Sequence, residues 1–342
     1  MLRRIPRGRG WAKRGKGMPK AIVVHRTGGP EVLEMEDLDP GLPGPGEVRI
    51  RQMAIGLNFL DTYYRSGLYP TQMPFIPGGE GAGEIVATGE GVGDFTPGDR
   101  VAYVFPLGAY AEERNVPASH VVKLPGAIDF ETAAAVMLKG LTAEFLLHRT
   151  FPVKAGQTIL FHAAAGGVGL IACQWARHLG ARVIGAVGSD DKIPLALAHG
   201  CDEVIQYRRE DFVTRVKEIT GGKKCAVVYD GVGKATFPGS LDCLQPFGMY
   251  VNFGNASGPV ENVSMVDLGN RGSLYATRPT LFSHIARRPT LESMAENLFS
   301  ALENGVIQAP VSARFPLSRA ADAHRALESR ATTGSVVLLP DG

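Results

Sequence analysis

Residues 158–172 constrain this chain more than any other stretch: Thr-Ile-Leu-Phe-His-Ala-Ala-Ala-Gly-Gly-Val-Gly-Leu-Ile-Ala. An apolar run ends, the smallest side chains turn the backbone, and an amphipathic period begins, with Val168, Ile171, Ala172, Trp175 and Leu179 on one face. That order predicts strand, tight turn, helix. Such a turn lets the backbone approach a pyrophosphate without a Cβ in the way and brings the helix close to the strand. The unpaired amides and positive dipole end of the helix then face an anion. The spacing is Ala163-x-x-Gly166-x-x-Gly169 with Gly167 inside, not the usual G-x-G-x-x-G. Taken alone it fits any tight strand-to-helix turn, so its surroundings decide.

Those surroundings are repetitive. Apolar strands are predicted at 158–161, 182–187, 203–205, 226–229 and 249–253, with helices between them, including one at 167–179. Such alternation implies right-handed βαβ units and a parallel sheet. Upstream the rhythm differs: short alternating runs at 21–24, 47–55, 83–88, 100–103 and 121–124 are broken by turn clusters at 28–30, 43–46 and 96–99. That is a β-rich, barrel-like unit, and it explains why 43 residues are Gly, about 13% against a usual ~7%. Helical spacing at 131–150 leads into the nucleotide unit, and helices at 291–304 and 318–329 precede a final strand at 335–339. The expected organisation is a basic tail (1–17), a first part of a catalytic domain (18–139), an inserted dinucleotide-binding domain (140–276) and a second catalytic part (277–342).

The net charge of +2 misleads, because Arg3, Arg4, Arg7, Arg9, Lys13, Arg14 and Lys16 sit in the first 17 residues without an acid; the remainder carries −5. Three readings stand for that tail: a nucleic-acid arm, an Arg-rich targeting peptide, or translation from a start upstream of Met18. The folded body is acidic and does not interleave aromatics with basic groups, so nucleic acid is not the expected partner. Cys173, Cys201, Cys225 and Cys243 form no C-x-x-C pair, which fits a reducing, cytoplasmic compartment and no metal lobe. No apolar run approaches the ~18 residues of a membrane span.

The second strand of the nucleotide unit indicates which dinucleotide. An acid at its tip would bind the ribose of NAD. Here the tip reads Ala186-Val187-Gly188-Ser189, leaving room for a 2′-phosphate, with Lys192, Tyr207 and Arg208 close by. Basic and hydroxyl groups suit a phosphate dianion. Asp190 and Asp191 oppose this, unless they cap the helix that contains Pro194.

A barrel plus an inserted nucleotide unit resembles the medium-chain dehydrogenase/reductase superfamily. The alcohol dehydrogenases of that superfamily bind catalytic zinc through Cys and His, where this chain has Gly56-Leu57-Asn58 and Pro77-Gly78-Gly79-Glu80-Gly81. The sequence therefore argues against catalytic zinc. Gly156-Gln157-x-x-Leu160-x-x-x-Ala164-Ala165-Gly166-Gly167-x-Gly169, followed by Gln174 and Arg177, is similar to the signature of the quinone oxidoreductase/ζ-crystallin family. Residues 54–70, 138–142, 253–257, 272–279 and 328–331 also resemble that family, and the likeness spans residues 18–340.

The resemblance implies a Rossmann-type doubly wound parallel sheet inserted in a GroES-like β-barrel catalytic domain. It implies NADPH as cofactor, a small-molecule quinone as substrate and a homodimer. Asn58, Tyr63, Tyr69, Arg65 and Arg278 are then the expected catalytic groups, with Asp61 beside them. Asn58, Asp61 and Tyr63 would also contact the cofactor; Thr142, Gly166, Gly167 and Val168 would hold the nicotinamide ribose and pyrophosphate; Ser189, Lys192, Tyr207 and Arg330 would surround the 2′-phosphate. Phe253, Gly254, Asn255 and Ser257 would edge the nicotinamide, and Arg278 to Leu281 would form the crossover back to the catalytic domain, with Leu281 touching the cofactor. Gly231 stands where relatives often carry Ser, which would remove one cofactor hydrogen bond. His162 is expected to be a packed core histidine and Asp61 an anchor rather than a proton donor. Alternatives are a zinc-free reductase of conjugated enals or enones, and an NADPH-binding structural or RNA-binding protein. Hydride or single-electron transfer stays open.

Overall fold

A computed structural model describes residues 17–329 and 332–341. Arg330 and residues 1–16 of the basic tail lie outside the described residues.

The strand–helix alternation folds as its periodicity predicts. Six parallel strands stand in the order Glu203–Gln206, Arg182–Val187, Thr158–His162, Cys225–Asp230, Leu244–Asn252, Tyr275–Thr277. Chain order reverses direction between Thr158–His162 and Cys225–Asp230, the switch point at which such sheets bind nucleotides. Thr158–His162 shows why the run is apolar throughout: Ile159 and Phe161 enter one core, while Leu160 enters another on the opposite face.

The second sheet has seven strands organised around the eleven-residue strand Glu47–Leu57. That strand pairs antiparallel with Glu80–Thr88, with Glu113–Pro117 and with Ser335–Leu339 from the far end of the chain. Both ends of the described chain thus build one barrel-like unit around a core of Val48, Ile50, Tyr103, Tyr110 and Val336.

The two units share the helix Phe130–Glu144, capped by Asp129, whose carboxylate accepts from Thr132 N–H at 2.7 Å. This helix runs unbroken through position 139/140, where the sequence reading divides the domains. The helical spacing to 150 resolves into that α-helix and a widened π turn, Phe145–Thr150. The widening lets Arg149 reach back to the fully buried Glu144, which accepts its Nε at 2.9 Å. Near the C-terminus the helix begins at Arg288 rather than at Leu291, since Pro289 suits a first turn that needs no N–H.

Candidate functional site

The glycine turn has the geometry its composition requires. Ala163 sits in the left-handed region at φ 56°, its carbonyl accepts from Gly166 N–H at 2.8 Å, and the helix Gly167–His178 starts immediately after. No side chain caps that helix at Gly166, so its first amides remain available to an anion. A methyl at Gly169 would stand 2.5 Å from the carbonyl oxygens of Ala163 and Ala164. Helix and strand are therefore as close as backbone allows. Val168 packs against the core beside the turn.

At the tip of the second strand, Tyr207 closes over Gly188, where a Cβ would meet its hydroxyl at 2.7 Å. Ser189 and the single turn Asp190–Lys192 lie next to it. Asp190 is tied to Arg209 at 2.6 Å, a pair exposed enough to be screened. The Asp191 carboxyl is lowered by a hydrogen bond from Ser189. Sequence reasoning missed Arg209, the basic partner that offsets the acid which argued against a 2′-phosphate.

The two units meet where the barrel's first helix faces the nucleotide sheet. Phe59–Ser66 ends at Gly67, whose φ of 84° turns the chain so that Tyr69 N–H reaches the Tyr63 carbonyl at 3.0 Å. The Tyr63 and Tyr69 rings lie 5.3 Å apart. Asn255 Nδ2 donates to the Tyr69 hydroxyl at 3.3 Å across the junction. Burial, then the neighbouring Tyr69, pushes the Tyr63 hydroxyl up to about 12, so it is a donor at neutral pH; Asn255 backbone and Arg278 act in the opposite sense. Tyr63, Tyr69, Asn255 and the exposed Arg278 are thereby brought together from three segments. Leu281 is buried at the start of the following turn, and Phe253 stacks toward Phe161 at 5.6 Å.

Gly254 approaches Gly231 so closely that a Cβ would meet its carbonyl at 2.5 Å, and a Cβ on Gly231 would meet the Phe253 ring at 3.0 Å. A side chain at 231 would thus press on the Phe253 ring, which would have to shift slightly to admit it. Two expected contacts are committed elsewhere. Ser257 Oγ donates to the Val232 carbonyl at 2.8 Å and accepts from Ala235 N–H at 2.9 Å, so it braces the turn. Thr142 Oγ1 donates to the Leu138 carbonyl at 2.7 Å, leaving its lone pairs as the open function.

Arg65 corrects the sequence reading. Its side chain is 3% exposed, with Nη2 on Glu328 at 2.5 Å, Nη1 on His324 at 2.9 Å and Nε on the Gly28 carbonyl at 3.1 Å. All its donor nitrogens are engaged within the barrel, so it does not belong with the tyrosines at the junction. Asp61 anchors a loop amide, accepting from Asn58 N–H at 2.9 Å, and its carboxyl has a feature no sequence pattern showed. Burial first raises its carboxyl to about 7, opposed by the Asn58 N–H and the Tyr110 hydroxyl. His162 is buried and held neutral by burial, with Nε2 on Ser240 at 3.0 Å and its ring edge-on to Phe212, which is the packed histidine the sequence suggested.

Sequence reasoning missed the carboxylate at the centre of this floor. Glu80 is fully buried and accepts from Asn58 Nδ2 at 2.6 Å, Lys139 Nζ at 2.9 Å and Leu138 N–H at 2.5 Å. Lys139 runs directly beneath the glycine turn; a Cβ at Gly167 would meet its Cδ at 2.7 Å. The only early signal was Glu80 itself, noted as part of the segment where a metal histidine was absent.

Residues 44–126 match the alcohol dehydrogenase GroES-like domain family, and residues 167–299 match the zinc-binding dehydrogenase family. The donor set does not fit the zinc of the second description: Asn58 and Gly79 offer no thiolate or imidazole, and Glu80 is saturated by three donors, one an ammonium. A quinone oxidoreductase of Pseudomonas aeruginosa is 55% identical over 94% of this chain and its whole length. A 2-haloacrylate reductase of a Burkholderia species is 47% identical over 94% of this chain and 99% of its own. The crystal structure of Escherichia coli quinone oxidoreductase complexed with NADPH superposes with a TM-score of 0.92 at 50% identity, covering 94% of this chain and all of that one. Sequence, fold and site converge: the chain belongs to the quinone oxidoreductase family of the medium-chain dehydrogenases/reductases.

Proposed function

We propose that this protein is an NADPH:quinone oxidoreductase that works without zinc. The observation that carries the reading is the junction at which the Tyr63–Tyr69 pair meets Asn255, with Lys139 and Glu80 linking the glycine turn to Asn58, within a chain that matches quinone oxidoreductases over nearly its full length. The described residues fit NADPH: unpaired amides at Gly167 for the pyrophosphate, and Ser189, Lys192 and Tyr207 at the second-strand tip for the 2′-phosphate. When bound, NADPH supplies reducing equivalents from its nicotinamide.

The protein's own task is then positioning and charge stabilisation. Reduction of a quinone places negative charge on a carbonyl oxygen, so a donor fixed in advance lowers the barrier. Tyr63, kept protonated by burial, and Tyr69 are the donors, and Asn255 holds Tyr69 in place. Asn58 positions from below, since its Nδ2 is bound to Glu80.

The protein is a homodimer in this reading. Tyr275–Thr277 is the edge strand of the parallel sheet, and it exposes Tyr275 beside Phe247, Met265 and Val266 on neighbouring segments. An unpaired edge carrying large apolar side chains suits pairing with a second copy. Among the described residues no helix is long and apolar enough to cross a membrane. Its place of action in this reading is the cytoplasm, a reducing compartment with which four free, buried thiols are compatible.

A second reading, reduction of an activated C=C bond, is favoured by the name of the 2-haloacrylate reductase. The test is NADPH consumption with an acceptor panel. Turnover of 1,4-benzoquinone well above that of 2-chloroacrylate and a conjugated enal supports quinone reduction. The reverse order replaces it with the second reading.

A further inference from the structure

Asn58 joins two buried hydrogen-bonded groups. On one side its Nδ2 meets Glu80 and, through that carboxylate, Lys139 under the glycine turn. On the other its backbone N–H donates to Asp61 Oδ2 at 2.9 Å. From Asp61 a chain leads away from the junction to the helix Ala320–Glu328. Tyr110 Oη lies 3.0 Å from Asp61 Oδ2 and 3.0 Å from His324 Nε2, His324 Nδ1 lies 2.9 Å from Arg65 Nη1, and Arg65 pairs with Glu328. Asp61, Tyr110 and His324 are almost completely buried.

Elementary chemistry fixes the direction of every bond in this chain. A guanidinium only donates, so His324 Nδ1 accepts. Burial, then Arg65, lowers His324 to about 3, so the ring is neutral and carries its proton on Nε2. That proton goes to the Tyr110 oxygen, which leaves the Tyr110 hydroxyl proton for Asp61. Asp61 Oδ2 then accepts twice, and Oδ1 has no partner among the described residues. The chain is not a proton wire, because neither Arg65 nor the Asn58 amide passes protons on.

We propose that Tyr110 and His324 are positioning residues: they hold Asp61, and through it the Asn58 start of the Phe59–Ser66 helix, in the register that presents Tyr63 at the junction. This rests on the reductase reading for its kinetic consequence, though not for its structural one. The groups facing Asp61 are Tyr110 from the loop before Glu113–Pro117, Glu80 from its strand, Lys139 from Phe130–Glu144 and Tyr64 from its own helix, with Arg65 and His324 behind Tyr110. A proton on Oδ1 weakens Oδ2 as an acceptor for Asn58, so the hold loosens as pH falls through about 7.

The test uses the full chain and three variants. Tyr110→Phe keeps the ring and loses the donor. His324→Leu breaks the chain, and His324→Gln restores it, because an amide accepts from Arg65 and donates to Tyr110. Hydrogen exchange of residues 58–66 is read by mass spectrometry, alongside kcat with NADPH and 1,4-benzoquinone. Tyr110→Phe and His324→Leu raise exchange in that segment and lower kcat by roughly 10-fold, as expected for a small misplacement of reacting groups. KM for NADPH stays nearly constant in both, and His324→Gln returns both readouts to wild type. In Tyr110→Phe the acid limb of kcat also moves to higher pH, since a bond that lowers the Asp61 carboxyl is gone. The proposal is overturned if His324→Gln is as impaired as His324→Leu, or if folded Tyr110→Phe exchanges and turns over like wild type. Should wild type itself fail to reduce quinone, the exchange pattern still decides the positioning claim and only the reductase reading falls.

Discussion

At the scale of single residues the floor of the site is an electrostatic structure that no local pattern encodes. Glu80 collects Asn58 from 22 positions away and Lys139 from 59. Breaking one side of a buried ion pair strands the other charge, which typically costs about 3–5 kcal/mol, whereas replacing both with apolar groups is often neutral. Lys139→Met should therefore destabilise by about that amount in urea unfolding, and Glu80→Gln combined with Lys139→Met should recover part of it, because the neutral amide removes the stranded charge while its oxygen still accepts from a neighbouring donor. Equal stability of the single variant and wild type contradicts this account. His324 and Asp61 give opposite pH signatures. The folded chain keeps His324 neutral down to about 3 against an ordinary 6.5, so the unfolded chain binds a proton that the fold refuses, and stability is lost as pH falls through that window. Asp61, raised from 3.8 to about 7, stabilises most below its ordinary value and loses that contribution as pH rises toward 7. His324→Gln keeps the hydrogen bonds without the titration, so its stability should fall less between pH 6 and 4, as read by Tm. An unchanged acid slope would assign the loss to other groups. The sequence named Asn58, Asp61, Tyr63 and Tyr69 from one contiguous segment, but the directions of their side chains depend on partners far along the chain. Arg65 sits in that same segment and turns the other way, toward Glu328.

At the scale of elements, legibility followed local sequence cause. The glycine turn was readable because tight approach needs small residues in a fixed order, and Ala163, Gly166 and Gly169 carry it. Gly169→Ala should abolish the close approach and lower both Tm and NADPH affinity, while Gly93→Ala, where a Cβ meets open space, should change neither. Differential scanning fluorimetry with and without NADPH checks both at once; a Gly169→Ala protein with a wild-type NADPH shift would refute the packing argument. The π turn at Phe145–Thr150 was not readable, since helical spacing continues through it and the Arg149 contact with buried Glu144 that accompanies it has no local sequence pattern. The early start of Arg288–Glu303 was readable in principle from Pro289, a residue suited to a first turn.

At the scale of the whole molecule, an inserted nucleotide unit with both chain ends contributing to the other unit was inferred from the change in rhythm along the chain, and Ser335–Leu339 does pair with Glu47–Leu57 in the seven-stranded sheet. Strand order within the parallel sheet required the structure. So did the continuity of Phe130–Glu144 through 139/140 and the packing that brings both units onto one junction. The exposed edge beside Tyr275 leads to a further expectation: sedimentation velocity should give the mass of two chains, falling to one in Tyr275→Asp; a monomeric wild type would contradict the dimer. NADPH and quinone are assigned together, so the decisive measurement is steady-state kcat/KM with 1,4-benzoquinone for NADPH against NADH, in wild type and Lys192→Ala. Quinone reduction should be rapid and NADPH preferred by roughly 10-fold or more, the preference collapsing in Lys192→Ala through NADPH alone, as for a lost charge-assisted phosphate contact. Equal use of both cofactors by wild type, or no quinone turnover with either, would contradict that assignment.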